Sequence, residues 1–586
     1  MQRQVGRPKR ERTREPHTLQ RGWANTINIK DNFMLNENLI KIYEQSFRDN
    51  RELPALTDYF KKETFSYYEM AKEIAKLHML FEQCGIQKGD KIALIGRNNP
   101  RWVITYIATI TYGAVIVPIL QDFNPNDINH IINHSESKIL FLGDSFWDVI
   151  NEDRVPAIKA VFSLTDYRCI FEREGDEVGS FQKNIVKHYR TRYPRGFSAE
   201  DIRYPEVAND EVCLLSYTSG STGFSKGVML TVNNLTAQLM YVLPKKYHFR
   251  GSRVLCFLPL AHAFGAAIDM LCSLGAGTHV TLLGRIPSPK ILIEAMAEVR
   301  PNVICSVPMI IEKVVKKQIF PIIGSGLMKT ALSIPLIDNV VYAQIRKKLV
   351  ATLGGEFYEF IVGGAALNAE VEEFLHRIKF PITVGYGMTE CGPLISHRLY
   401  TDGYIPTSAG RILTDFCECR VLSPDPAHIP GEILIRGEQV MKGYYKNPEA
   451  TAQAIDEEGW LHTGDMGTVD ADHNIFLRGR SKTMILMSGG QNVYPEEIEA
   501  KLNNLAYVLE SLIVERDGKL VALVVPDFEQ LDAAGHSQAQ LPELMNETLK
   551  ELNTLVASYE KVASIELRAT EFEKTPKKSI KRFLYR

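Results

Sequence analysis

Beyond about residue 36 the apolar residues alternate between short continuous runs and longer stretches with helical spacing. Ile291, Ile293, Ala295, Met296 and Val299 follow a helical pattern that meets Pro301, and the strand-like run Val303-Ile304-Cys305-Ser306-Val307 comes next. Proline cannot supply the N–H that a helix needs, so a boundary is predicted there. Further strands are predicted at Val212 to Leu215, Val254 to Leu258, His279 to Leu283, Glu359 to Val362 and Ile382 to Val384, and a second apolar run stands at Val228 to Leu230. Such alternation predicts an α/β fold, a large N-terminal domain of mixed and parallel sheets sandwiched by helices. After Ser481 the texture changes. Pro495 stands at a helix start before Glu496-Glu497-Ile498-Glu499, and Ile513-Val514 and Leu520 to Val525 flank an Asp517-Gly518 turn. That is a hairpin signal and predicts a small α+β C-terminal domain. The expected division is residues 36–481 and 482–586, and a chain of 586 residues is long enough for two cores.

Two apolar stretches raise the question of a membrane. Val103 to Leu120 is an uncharged run of 18 residues, but Gly113 and Pro118 interrupt it, so a buried helix followed by a core strand is predicted. Ile319 to Ile337 is broken by Pro321, Gly324, Gly326, Lys329 and Pro335, and reads either as a surface lid or as a membrane-touching amphipathic piece. Residues 1–35 form a separate basic extension. Within residues 1–22, Arg3, Arg7, Lys9, Arg10, Arg12, Arg14 and Arg21 face only Glu11 and Glu15 with almost no apolar residues, so disorder is expected, and Met34 is a natural alternative start. No signal-peptide core is visible there.

A net charge of −2 gives no global pull toward nucleic acid. The nine cysteines include no Cys-x-x-Cys pair, which fits a reducing cytoplasm better than a disulfide framework.

The segment Tyr217-Thr218-Ser219-Gly220-Ser221-Thr222-Gly223-Phe224-Ser225-Lys226-Gly227 carries the strongest chemical signal. Its glycines allow main-chain N–H groups to turn toward an anion, Thr218, Ser219, Ser221 and Thr222 add neutral donors, and Lys226 adds a point charge. It is not a P-loop, because Lys226 lies between Ser225 and Gly227. Later come Phe257-Leu258-Pro259-Leu260-Ala261-His262-Ala263-Phe264-Gly265, then Gly363-Gly364-Ala365, then Val384-Gly385-Tyr386-Gly387-Met388-Thr389-Glu390. Trp460-Leu461-His462-Thr463-Gly464-Asp465 follows, with Arg478-Gly479-Arg480-Ser481-Lys482 and Ser488-Gly489-Gly490 beyond it. One carboxylate can accept from both hydroxyls of a cis-diol, and a glutamate is a hard oxygen ligand suited to magnesium.

In content and order these segments resemble the acyl-adenylate-forming (AMP-binding) superfamily, which includes acyl-CoA synthetases, firefly-type luciferases and peptide-synthetase adenylation domains; the match runs from about Ala55 to Arg582. The resemblance implies a phosphate loop at Thr218 to Lys226 and a turn lining the acyl and adenine pockets at Gly363, Gly364 and Ala365. It puts His262 beside the carboxylate substrate and Tyr386, flanked by Gly385 and Gly387, on adenine. It puts Thr389 on the α-phosphate, Glu390 on Mg²⁺, and Asp465 and Arg480 on the ribose. Lys482 is the implied hinge of a mobile C-terminal domain, and the loop with Ser488, Gly489 and Gly490 serves the CoA step. The implied activity is that of a medium- or long-chain fatty acid–CoA ligase, with a fatty acid or other hydrophobic carboxylate, ATP and CoA as partners. A homodimer and a peripheral membrane contact stay open.

Substrate class rests on two signs. Acetyl-type relatives place a Trp at the position of Gly387, so an open acid pocket is implied, and the helical material between Met309 and Leu353 resembles the insertion of long-chain ligases. Ala266 stands where some of those enzymes carry an aromatic gate. The family's terminal catalytic lysine has no exact counterpart, since Thr575-Pro576-Lys577-Lys578-Ser579-Ile580-Lys581-Arg582 puts Ser579 in that register. Either Lys578 serves from the adjacent position, with Lys581 as fallback, or adenylation is impaired and the chain is a regulatory homologue. An amino-acid-activating enzyme would need a carboxylate for the α-ammonium within residues 257–268, which contain none.

Overall fold

Residues 35–585 are described by the structure, a computed structural model, apart from 174, 176, 219–224, 286, 335–336, 488–490 and 576–578. The basic extension through residue 34 therefore lies outside the described residues.

Two large sheets organise the N-terminal part. The first has eight strands in the order Gly443–Tyr444, Lys226–Thr231, Val212–Thr218, Val115–Ile119, Lys91–Ile95, Ile139–Leu142, Ala160–Ser163 and Cys169–Glu172. Its middle is parallel, with Lys91–Ile95 paired to strands on both sides. The uncharged run from Val103 resolves as expected. Asn99 caps the helix Pro100–Tyr112, Gly113 ends it at φ 87°, and the chain returns as the buried strand Val115–Ile119. Among the described residues no helix is long and apolar enough to cross a membrane.

The second sheet has nine strands, with parallel neighbours His279–Leu282, Arg253–Cys256, Val303–Ser306, Glu359–Val362 and Ile382–Gly387 at its centre. Loops leaving the carboxyl ends of these strands carry residues 257–265, 363–365 and 388–390, the edge at which open α/β sheets bind ligands. A four-stranded antiparallel sheet follows, in which Leu461–Val469 pairs with Ile475–Arg480.

The C-terminal part has its own core, built on Val493, Ile498, Leu502, Ile513, Ala522, Val524 and Leu552. Pro495 opens the helix Pro495–Leu502. In the hairpin Val508–Arg516 with Lys519–Pro526, Arg516 pairs with Lys519. Both turn residues are left-handed, Asp517 at φ 51° and Gly518 at φ 74°, as a two-residue turn of matching twist requires. The material after Met309 is helical: Pro308–Val314, a π-helical Val315–Ile319, Phe320–Ile323, Gly326–Leu332 and Ile337–Thr352. It touches the small domain, where Lys316 Nζ donates to Asn504 Oδ1 at 2.7 Å and Lys317 pairs with Glu529 at 2.6 Å.

Candidate active site

The strands Val212–Thr218 and Lys226–Thr231 form an antiparallel hairpin whose last registered pair is Thr218 with Lys226. Ser219, Gly220, Ser221, Thr222 and Gly223 lie outside the described residues. Lys226 Nζ stands 4.8 Å from the ring centroid of Tyr444, and the Tyr444 hydroxyl donates to Glu390 Oε1 at 3.0 Å. Tyr444 is placed there by the edge strand Gly443–Tyr444, which pairs with the lysine strand. One ring thus links Lys226, the candidate phosphate-loop cation, to the candidate magnesium ligand. Tyr444 belongs to no motif read from the sequence; a Gly-Tyr-Tyr run at a strand edge was the only signal.

The strand Ile382–Gly387 delivers Tyr386 and leads into the short turn Thr389–Cys391, where Thr389 is buried. A Cβ at Gly387 would lie 2.0 Å from the carbonyl oxygen of Pro393. Glycine at 387 is therefore a demand of the adjacent backbone, and its missing side chain is not by itself a sign of an open acid pocket.

Tyr386 and Asp465 meet between two sheets. The Tyr386 hydroxyl donates to Asp465 Oδ2 at 2.6 Å, and Arg480 Nε lies 2.8 Å from Oδ1. The pairing of Asp465 with Arg480 across neighbouring strands sets this geometry. Burial pushes the Asp465 carboxyl up, and Arg480 and Tyr386 offset only part of that rise. A carboxylate offers about four lone-pair directions, so two stay available for a diol.

His262 caps a short turn, its Nδ1 accepting from Phe264 N at 3.4 Å. The Phe264 ring packs on the face of Gly363, where a Cβ would stand 3.3 Å from Phe264 Cζ. This contact ties the histidine segment to the turn in which Gly364, at φ 85°, and Ala365 are exposed. Asn98 clamps the same segment, its Nδ2 donating to Leu258 O at 2.7 Å and its Oδ1 accepting from Leu260 N at 3.0 Å. No sequence motif pointed to Asn98, since its partners lie some 160 residues away.

Lys482 is exposed in the turn that leaves Ile475–Arg480. That turn is fastened on either side, by Ser481 N to Gly464 O at 2.9 Å and by Thr483 Oγ1 to Glu496 Oε1 at 2.7 Å. Ser488, Gly489, Gly490 and Lys578 lie outside the described residues. Around Lys578, Thr575 N donates to Ser579 O at 2.8 Å, Lys581 pairs with Glu573 at 3.3 Å, and Arg582 pairs with Glu499 and Glu496. The fallback cation Lys581 is thus engaged within the small domain.

Among the described residues no group of three or more His, Cys, Asp or Glu side chains could hold a metal alone. Magnesium on a nucleotide needs less, one or two carboxylates with phosphates and water completing the shell. Glu390 fits that demand, because Tyr444 orients its carboxylate while the residue stays partly open to solvent.

Tyr386 and Asp465 are buried, the Arg480 that pairs with Asp465 is exposed, and the strand-end loops gather on one edge of the second sheet. The AMP-binding enzyme family model matches residues 43–445, and the AMP-binding enzyme C-terminal domain model matches 482–585, so the chain belongs to the AMP-binding enzyme family. Its superfamily is that of acyl-adenylate-forming CoA ligases. Fatty acyl-CoA synthetase A of Dictyostelium discoideum is 26% identical over 94% of this chain and 86% of its own. 4-Coumarate–CoA ligase 1 of Arabidopsis thaliana is 29% identical over 72% of this chain and 71% of its own. Among solved structures, ATP-bound MatB from Rhodopseudomonas palustris superposes with a TM-score of 0.72 at 22% identity, covering 94% of this chain and 98% of its own, which bears on the fold alone.

Proposed function

We propose that the chain is an ATP-dependent carboxylate–CoA ligase that activates a medium- or long-chain fatty acid. What supports nucleotide use is the group Tyr386, Asp465 and Arg480 beside the linked Lys226, Tyr444 and Glu390, with the Glu390 charge acting on Asp465; the similarity to a fatty acyl-CoA synthetase supports the acid. In the first step a carboxylate oxygen attacks the α-phosphorus of ATP, and the bond from that phosphorus to the bridging oxygen breaks, releasing pyrophosphate. In the second the CoA sulfur attacks the acyl carbon, AMP leaves with the bridging oxygen, and the thiol proton passes to solvent.

A carboxylate is a weak nucleophile toward a polyanion, so the task of the protein is charge neutralisation and in-line positioning. Lys226 and the phosphate-loop donors hold the β- and γ-phosphates. Asp465 and Arg480 fix the ribose, Tyr386 packs on the base, Thr389 binds the α-phosphate, and His262 orients the incoming carboxylate. Magnesium, when bound through Glu390, supplies positive charge against the triphosphate. Lys578 serves as the terminal cation of the first step, and rotation about Lys482 brings the loop of Ser488, Gly489 and Gly490 up for the second. A second reading, an aryl-acid ligase, is favoured by the similarity to the 4-coumarate ligase.

Pyrophosphate release across acetate, octanoate, palmitate and 4-coumarate, with and without CoA, tests the proposal. Greatest release with octanoate or palmitate supports it, greatest release with 4-coumarate favours the second reading, and equal release without any acid overturns both.

A further inference from the structure

The helical material from Pro308 to Thr352 carries Lys313, Lys316, Lys317, Lys329, Arg346, Lys347 and Lys348 against only Glu312 and Asp338, in a chain whose net charge is −2. Both acids are engaged by the chain itself. Glu312 Oε1 accepts from Asn368 N at 2.8 Å, and Asp338 lies 3.9 Å from Arg377. Of the bases, Lys316 and Lys317 are taken up by the small domain. Lys329, Lys347 and Lys348 stand exposed, and among the described residues no ion pair holds them.

One ring seats two of these helices. Phe320 meets Phe374 edge-on with 5.4 Å between centroids, and Tyr342 meets the same ring at 6.4 Å. Phe320–Ile323 and Ile337–Thr352 are thereby fastened to one point of the large domain. An α-helix turns about 100° per residue, so Val340 lies roughly 160° and Ile337 roughly 140° round the helix from Tyr342. Both face outward, 62% and 44% exposed. Ile322, two residues beyond the seated Phe320, is 53% exposed, and Ile334, whose carbonyl accepts from Asp338 N at the helix start, is 43% exposed. Two turns further along the outward side come Lys347 and Lys348.

A group of large apolar side chains left outside, with a charged border, marks a surface that meets something. Its apolar members are aliphatic, whereas the anchors of protein–protein contacts are rich in Trp, Tyr and Arg. Aliphatic side chains suit the acyl region of a bilayer, and lysines suit the phosphates of its headgroups. We propose that the face formed by Ile322, Ile334, Ile337 and Val340, with Lys329, Lys347 and Lys348 beside it, docks the chain on an anionic lipid surface. The charge of this segment is what selects that occupant over a neutral bilayer.

The test is flotation of the full chain with vesicles of phosphatidylcholine alone and of phosphatidylcholine mixed with phosphatidylglycerol, in the absence of substrates. Binding to the anionic vesicles is expected to be tighter by on the order of 10-fold or more, and to weaken as salt screens the lysines. Val340→Glu, and separately Lys347→Glu with Lys348→Glu, should each weaken it by on the order of 10-fold, with unfolding temperatures close to that of wild type. Wild-type chain that fails to float with anionic vesicles overturns the proposal. Binding left unchanged by either variant overturns it too, and assigns the attraction to the basic extension of residues 1–34. A solution dimer that Val340→Glu dissociates, without vesicle binding by wild type, would show that a second copy covers the face instead. No acid or nucleotide enters the measurement, so its outcome is independent of the ligase reading.

Discussion

Tyr386 and Asp465, 79 residues apart in the chain, share a 2.6 Å hydrogen bond at the junction of two sheets. The bond fixes Asp465 on one side while Arg480 holds the other at 2.8 Å. Asp465→Ala would remove the diol acceptor and strip both neighbours of their partner. ATP affinity, measured by titration calorimetry, is expected to fall by on the order of 10-fold or more, and Tyr386→Phe to cost less, since Arg480 still orients the carboxylate. Unchanged ATP affinity in Asp465→Ala would refute the ribose assignment.

Glu390 and Tyr444 make a separable prediction. Glu390→Gln keeps the shape but removes the anionic ligand, so turnover should drop by on the order of 10²-fold with a higher magnesium requirement. Tyr444→Phe keeps the ring beside Lys226 and removes only the hydroxyl that reaches Glu390. Its expected effect is a smaller loss, visible mainly in the magnesium titration. Equal activity of Glu390→Gln and wild type at every magnesium concentration would count against the metal role.

The α/β texture was legible because core strands are continuous apolar runs. Glu359–Val362 came out with the predicted limits, and the Asp517-Gly518 turn formed where two short polar residues separate apolar strands. A second cause of Gly387 went unseen, because the Pro393 carbonyl that crowds a side chain there lies in the bend just before the neighbouring strand and leaves no mark at position 387. Tyr444 and Asn98 escaped notice for a related reason. Tyr444 acts through a neighbouring strand and Asn98 through a loop of the other large sheet, and neither sits in a run with its own chemical pattern. The apolar stretch from Ile319 was ambiguous because its glycines divide it into Phe320–Ile323 and Gly326–Leu332, too short to show a face.

The tail offers a test of the displaced lysine. Lys581 and Arg582 are paired within the small domain, and Lys578, which lies outside the described residues, is the cation proposed for adenylation. Lys578→Ala is expected to suppress acyl-AMP formation by roughly 10²- to 10³-fold while sparing thioester formation from supplied acyl-AMP, and Ser579→Ala to be mild. A harmless Lys578→Ala combined with a strong gain in Ser579→Lys would mark the natural chain as an attenuated member.

Burial at Asp269 also predicts a pH dependence. Its carboxyl titrates near 7 in the fold against an ordinary value of 3.8, so between these limits the folded chain holds a proton that the unfolded chain has lost. Its contribution is fullest below 3.8 and is lost as pH rises to about 7. His78, His248, His279 and His397, depressed to about 4 mainly by burial, act in the opposite sense, and comparison with Asp269→Asn cancels them. Wild type should lose stability relative to Asp269→Asn by roughly 1 kcal/mol per pH unit across that window, with no further change above it. Denaturant unfolding at stepped pH checks this, and a constant difference would show that the carboxyl is not held neutral.

The central claim is that a carboxylate oxygen attacks the α-phosphorus of ATP before CoA takes the acyl group. The most direct test is to supply octanoate labelled with oxygen-18 in its carboxylate, together with ATP and CoA, and to analyse the products by mass spectrometry. The account predicts that ATP becomes AMP and pyrophosphate, with one labelled oxygen in each AMP and none in pyrophosphate. Label in inorganic phosphate with ADP as the nucleotide product, or AMP formed without label, would contradict it.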